Sequence, residues 1–134
     1  ILNFLKRPII NLHLSLLPYN RGAHPNFWSF IDGTPSGVTI HEVDGGIDTG
    51  PIIYQKRFDI DPKKKEFSTF YKTYLFLFTE LENLFEKNLK SILEIKYESF
   101  NQKGKGSFHK KDELPNFMKN WDVNILETIK KINL

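Results

Sequence analysis

Asn11 and His13 stand two residues apart at the end of a β-prone run. Successive strand side chains alternate faces, so this spacing sends an amide and an imidazole to the same side. Together they suit a reaction in which a carbonyl becomes an oxyanion. The amide donates to the developing charge, and the imidazole donates when protonated or moves a proton when neutral. Asp48 lies in a loop with Gly45, Gly46 and Gly50, where the backbone turns sharply and can approach a ligand closely. If the strand leading into that loop lies beside the first, Asp48 can orient His13 or raise its basicity. Spacing alone leaves plainer options open: a polar strand end for the Asn-x-His pair, and an Asx turn or cap for Asp48.

The elements that must position these groups are legible around them. Ile9 to Leu12 reads as a short, largely buried strand, followed by a loop from His13 to Gly22 punctuated by Pro18. A helix is expected from about His24, because Pro25 suits the first helical position and Gly33 the position beyond the end. Its Phe27, Trp28, Phe30 and Ile31 would cover the neighbouring sheet. Gly37 to Val43 reads as a second strand and Ile52 to Phe58 as a third, with the glycine-rich loop Asp44 to Gly50 between them.

The two halves of the chain differ in texture. Residues 1–62 hold six of the seven prolines and six of the eight glycines, whereas 66–98 contain neither and are helical in pattern. There Phe67, Phe70, Tyr74, Leu77, Leu81, Leu84, Phe85, Ile92 and Ile95 form a stripe of period 3.6, suited to packing on the sheet or to receiving a partner. Glu86 and Lys90 form an i,i+4 pair that supports the helix by a few tenths of a kcal/mol, on the order of 0.3. The run Tyr74 to Phe78 is apolar on all sides and predicts contact on more than one face. In the tail, Gly104 to Lys111 reads as a turn or short hairpin, followed by a short polar segment and Asn120-Trp-Asp122.

With 134 residues, 40% hydrophobic and 26% charged, the chain has the balance of one globular domain with one core. Twelve Phe, two Trp and five Tyr supply apolar area that argues against disorder. A net charge of +3 fits handling of phosphorylated substrates but falls far short of a dedicated nucleic-acid binder. Cysteine is absent, which excludes disulfides and thiolate metal sites and agrees with a reducing, cytoplasmic setting. No apolar run is long enough to span a bilayer, and no signal peptide is visible. The chain begins with Ile1 and its one methionine is Met118, so it is expected to be a fragment.

Several motifs in order carry a resemblance. Asn11-Leu-His-Leu-Ser-Leu-Leu-Pro18 with Arg21-Gly22, then Gly37-Val-Thr-Ile-His41, then Asp44-Gly-Gly-Ile-Asp-Thr-Gly-Pro-Ile-Ile53 resemble the folate-dependent formyltransferases. The match is dense over residues 9–55. It implies an α/β fold, the C-terminal part of a Rossmann-like formyltransferase domain lacking its first strands, with residues 1–134 belonging to one catalytic domain. It implies formyl transfer from 10-formyltetrahydrofolate to a primary amine, with Asn11, His13 and Asp48 as the catalytic triad. The 42–48 loop, through Glu42, Val43, Asp44, Gly45, Gly46 and Ile47, would line the pterin pocket largely with backbone groups. Ser15 and the turn at Pro18 would hold the active-site loop in shape.

Within the family, Tyr19 to Ser29, Gly106 to His109 and Asn120-Trp-Asp122 are similar to the sugar N-formyltransferases, which act on nucleotide-linked amino sugars. Methionyl-tRNA formyltransferases usually carry Arg-Trp-Arg-Gly-Ala where this chain has Tyr19-Asn-Arg-Gly-Ala23, so a tRNA partner is the alternative. Two departures stand out: Leu14 where many relatives have Pro, and Gly45 in place of a common acidic residue. The expected absence of the Rossmann-like first half leaves a second option, a non-catalytic remnant that at most binds folate, with exposed apolar surface favouring a homodimer.

Other polar residues are more ambiguous. Arg21 is the best candidate ligand for a substrate phosphate or carboxylate, or else part of a structural salt bridge. His24 either touches the acceptor or merely heads a helix. His41 reads as a packed or rim histidine. His109, beside Lys110 and Lys111, reads as part of a solvated face or a weak phosphate contact, and Lys63 to Lys65 as a solvated loop. No histidine pair has metal-ligand spacing, and no metal is expected.

Overall fold

The computed structural model describes residues 6–134. Its centre is a three-stranded sheet in the order β1 (Ile10–His13), β3 (Ser36–Glu42), β4 (Ile52–Phe58). Both pairings are antiparallel, with Asn11 opposite His41 and His13 opposite Thr39. The 43–51 loop is too short for the crossover that a parallel pair requires, so β3 and β4 can only run antiparallel. The α/β class expected from the sequence holds, while the described strands of the main sheet include no parallel pair of the Rossmann kind.

Between β1 and β3 the chain forms the two-residue strand β2 (Arg21–Gly22) and helix α1 (Pro25–Ile31). Pro25 sits at the start of α1 as its fixed φ favours, and Gly33 follows the end at φ +67, a conformation glycine adopts without a Cβ penalty. After β4 a 3₁₀ turn (Lys65–Phe67) leads into α2 (Phe70–Lys87) and α3 (Leu89–Leu93). The expected long helix over 66–98 is therefore three pieces. Thr69 caps α2 by accepting the Lys72 N–H at 3.2 Å, and the Asn88 amide bonds the Leu84 carbonyl at 2.9 Å where α2 ends.

One core joins Val38, Ile40 and Ile53 of the sheet to Leu77, Leu81 and Ile92 of the helices. Full burial of each such side chain contributes about 1.5–3 kcal/mol. Four members of the expected stripe lie outside this core: Phe67 packs edge-on against Phe76, Phe70 joins a second cluster, and Tyr74 and Ile95 are exposed. Tyr74 is exposed and stacks on Phe78, because Thr73 instead turns inward to bond Asn26 at 3.0 Å. Ile95 is exposed because it follows the end of α3 in a left-handed conformation, φ 54. A second cluster of Phe27, Trp28, Phe70 and Ile125 ties α1 and the start of α2 to α4 (Ile125–Ile132).

The tail departs from the hairpin expectation. β5 (Phe108–His109) pairs parallel with β2, far away in sequence, rather than with its own flank. Gly106, at φ +66, lies against the Pro18 carbonyl with no room for a side chain, which lets the tail lie down on the 18–22 loop. Among the described residues, no helix is long and apolar enough to cross a membrane.

Candidate active site

The register of β1 on β3 builds the site. Directly opposed residues share a face, so Asn11, His13, Thr39 and His41 all project to the side of the sheet away from the Val38–Ile40 core. Thr39 is consumed structurally: its hydroxyl donates to the Ser15 carbonyl at 2.7 Å and accepts from the Leu17 N–H at 3.2 Å. Ser15 donates to the Tyr19 carbonyl at 2.7 Å, in keeping with a role in loop shape. The 43–51 loop then folds Asp48 back over the same face at φ 55, a left-handed conformation that Asp tolerates better than most residues.

Asp48 is the hub. One carboxylate oxygen accepts the Gly22 N–H at 2.8 Å and lies 3.8 Å from His13 Nδ1. The other accepts from Asn11 Nδ2 at 3.4 Å and lies 3.7 Å from His41 Nε2. The three residues singled out from the sequence are thus brought together. Burial alone would raise the Asp48 carboxyl, but His41, His13 and the Gly22 N–H together outweigh it, and the group lies below the usual carboxylate range.

Hydrogen-bond logic assigns the tautomers. His13 Nε2 lies 2.8 Å from the Asn20 carbonyl, which only accepts, so Nε2 carries the hydrogen and Nδ1 presents its lone pair toward Asp48. Burial lowers the His13 pKa against the raising influence of Asp48 and the Asn20 carbonyl, which keeps the imidazole neutral. His41 Nδ1 lies 2.9 Å from the Glu42 carbonyl, so its Nε2 accepts from Asn11 Nδ2 at 3.1 Å. His41, read from the sequence as packed or at a rim, is 2% exposed and is an integral neighbour of the site. A signal for it exists in the sequence: Thr39 and His41 are two apart in a strand that faces Asn11 and His13.

The remaining candidates are placed as follows. Arg21 makes no ion pair among the described residues; its Nε and Nη2 instead grip the Gln102 amide oxygen at 3.1 and 2.7 Å. His24 heads α1 at φ 51 and lies 5.3 Å from Trp121, on an apolar groove of about 470 Å³ lined also by Leu14, Phe27, Tyr71 and Tyr74. Burial first and Lys111 second lower its pKa. Glu42 accepts a bond from the Tyr97 hydroxyl at 2.9 Å, and burial together with that carboxylate pushes the tyrosine up to about 12. The Val43 N–H goes to the Ile9 carbonyl at 2.8 Å. Asp44 accepts from the Thr49 hydroxyl at 2.6 Å and the Gly46 N–H at 2.9 Å, which hold its carboxyl low, while Gly45, Gly46 and Ile47 face outward. Gln102, which no motif or spacing singles out, donates to the Asp48 and Gly50 carbonyls, both at 2.8 Å. His109 is no solvated lysine neighbour: it stacks on Trp28 at 3.7 Å and contacts Asp32 at 2.6 Å and Glu113 at 3.2 Å. Among the described residues no group of three or more His, Asp or Glu could hold a metal.

An amide, a neutral buried imidazole and an ionised carboxylate gathered over one sheet face are groups able to donate to an oxyanion and to move a proton. The chain belongs to the formyl transferase family, whose model matches residues 1–79. It is 50% identical over 52 residues to a dTDP-4-amino-4,6-dideoxyglucose formyltransferase of Mycobacterium bovis, covering 39% of this chain and 22% of that protein. It is 50% identical over 62 residues to a methionyl-tRNA formyltransferase of Thermodesulfovibrio yellowstonii, covering 46% of this chain and 20% of the other. The fold is similar to a formyltransferase from Anoxybacillus kamchatkensis, in complex with UDP-4,6-dideoxy-4-formamido-L-AltNAc and tetrahydrofolate. The TM-score is 0.80 at 39% identity, over 91% of this chain and 65% of that one. The chain thus spans less than two thirds of these relatives.

Proposed function

We propose that residues 1–134 form part of a formyltransferase catalytic domain that moves a formyl group from 10-formyltetrahydrofolate to the amine of a nucleotide-linked amino sugar. The observation that carries this reading is the convergence of Asn11, His13 and Asp48 on one face of the sheet. The acceptor nitrogen bonds to the formyl carbon, the bond from that carbon to the folate nitrogen breaks, and one proton passes from the amine to the departing nitrogen. Asn11 keeps one amide hydrogen on His41. Its second, on the long 3.4 Å contact to Asp48, is the one a formyl oxygen would take. His13 Nδ1 holds the lone pair that receives the amine proton, and the resulting imidazolium is stabilised by Asp48. The 3.8 Å gap between them is spanned by adjustment or by a water.

The outer loop suits a flat heterocycle. Gly45 has open space where a Cβ would stand, Ile47 is 60% exposed, and the backbone around them is available to pterin edges. Glu42, Val43, Asp44 and Gly46 hold the shape of that loop through the bonds described above. Arg21 retains three of the five donors of a guanidinium for an anionic substrate group, and His24 borders the neighbouring groove.

The sugar acceptor is favoured because the likeness to the Anoxybacillus enzyme runs through the tail, over 91% of the chain. The 50% identity to a methionyl-tRNA enzyme supports a second reading with a tRNA acceptor. The test is formyl transfer by the full-length protein from 10-formyltetrahydrofolate to a panel of nucleotide-linked amino sugars, methionyl-tRNA and glycinamide ribonucleotide. Turnover of an amino sugar alone is expected. Turnover of methionyl-tRNA alone replaces the acceptor, and no turnover by the folded protein removes the reading.

A further inference from the structure

The tail reaches the reaction centre at one side chain. Gln102 lies outside the residues matched by the family model, yet it uses all of its amide valence on the site. Its two N–H groups go to the carbonyls of Asp48 and Gly50, and its oxygen accepts twice from Arg21. Arg21 begins β2, whose next residue, Gly22, donates to the Asp48 carboxylate. Asp48 is therefore held at both ends by one unit: its carboxylate by β2, and its carbonyl by an amide that is itself clamped to β2.

The backbone it holds needs holding. Asp48 adopts φ 55, and a non-glycine residue in that region persists when its surroundings over-determine it. Gly50, two residues on, is packed so closely on the Glu42 carbonyl that a Cβ there would collide with it. Release of the two carbonyls would let the peptide at 48 relax. The carboxylate would then swing off His13 and Asn11.

We infer that Gln102 is a positioning residue for the reaction centre, fixing the left-handed backbone of Asp48 so that its carboxylate faces His13 and Asn11. Arg21 acts in the same brace by orienting the Gln102 amide. The inference rests on the formyl-transfer reading for its kinetic consequence but not for its structural one.

The test compares Gln102→Met and Gln102→Glu with the unmodified full-length protein. Met keeps the approximate size and removes every polar atom; Glu keeps the oxygen for Arg21 but offers no donor to either carbonyl while ionised. Two readouts are taken: the NMR titration of the His13 ring, and kcat and KM for formyl transfer across pH. Both variants should fold, lower kcat by about tenfold or more with KM within about twofold, and titrate His13 at lower pH, because the carboxylate that raises it has moved away. An unchanged His13 titration in both variants overturns the inference. So does wild-type kcat in either, and so does failure of both to fold, which would make Gln102 a residue of the fold rather than of the site. If the unmodified protein transfers no formyl group, the functional reading fails by itself, and the His13 titration still decides this one.

Discussion

The substitution Asp48→Asn tests the charge at the hub while preserving its shape. The amide oxygen that replaces one carboxylate oxygen can still accept the Gly22 N–H, now made at 2.8 Å, so the loop should keep its course. What vanishes is the negative charge 3.8 Å from His13 Nδ1, in a pair whose side chains are 8% and 15% exposed. At an effective dielectric near 20, a full imidazolium–carboxylate pair at about 4 Å is worth about 4 kcal/mol. If His13 becomes cationic as it takes the amine proton, losing all of that raises the barrier by the same amount and slows turnover about a thousandfold. If reoriented dipoles restore half, the loss is about thirtyfold. The assay is kcat at saturating amine and 10-formyltetrahydrofolate, with circular dichroism to show that the variant folds. A kcat within about threefold of the unmodified protein would refute the argument that His13 works as a cation paired with Asp48.

Other outcomes follow from the same geometry. Asn11→Ala and His13→Ala should each lower kcat by at least about a hundredfold, since the proposed reaction assigns the developing charge to one and the moving proton to the other; near-normal rates in either would dismiss its role. The depressed His13 pKa predicts a pH dependence of stability. The contribution is full above the ordinary value of 6.5, where the unfolded imidazole is neutral too, and is lost as pH falls toward the folded value. Denaturant titrations should show stability falling below pH 6.5, and His13→Gln should flatten that fall; an unchanged slope contradicts the assignment. Asp48, also depressed, contributes stability above its ordinary 3.8 that is lost in stronger acid, and Asp48→Asn should remove that part of the acid transition. Gly50→Ala would drive its Cβ into the Glu42 carbonyl, and a loss of more than about 2 kcal/mol is expected, read as a drop in denaturation midpoint; a neutral effect would show that the 43–51 loop is free to move.

Period and punctuation carried much of this protein in its sequence. The alternation of β1, β3 and β4 and the Pro25–Gly33 brackets of α1 are local properties, set by backbone sterics and side-chain direction, and they can be read one segment at a time. The pairing of Asn11 with His13 on one face belongs to the same class. The Ile125, Ile129 and Ile132 spacing of α4 belongs there as well, although eight residues give that helix too short a period to stand out from the polar tail. The convergence of Asp48 with that pair came from the family resemblance, because no local rule says where a glycine-rich loop folds back.

Tertiary structure decided the rest, because it depends on contacts between distant segments. The antiparallel register set Asn11 against His41 and so turned a strand histidine that the sequence shows only as packed or at a rim into the acceptor that fixes the amide. The tail lay down parallel to Arg21 and Gly22 instead of forming a hairpin, and that brought Gln102 onto the carbonyl of Asp48. The stripe of α2 gave up Tyr74 because Thr73 found a buried partner in Asn26, a residue 47 positions away. Composition and periodicity specify which face of an element is apolar; which polar atom finds which partner is fixed only once the elements are docked, when each buried donor and acceptor must be satisfied by whatever the fold has brought within reach.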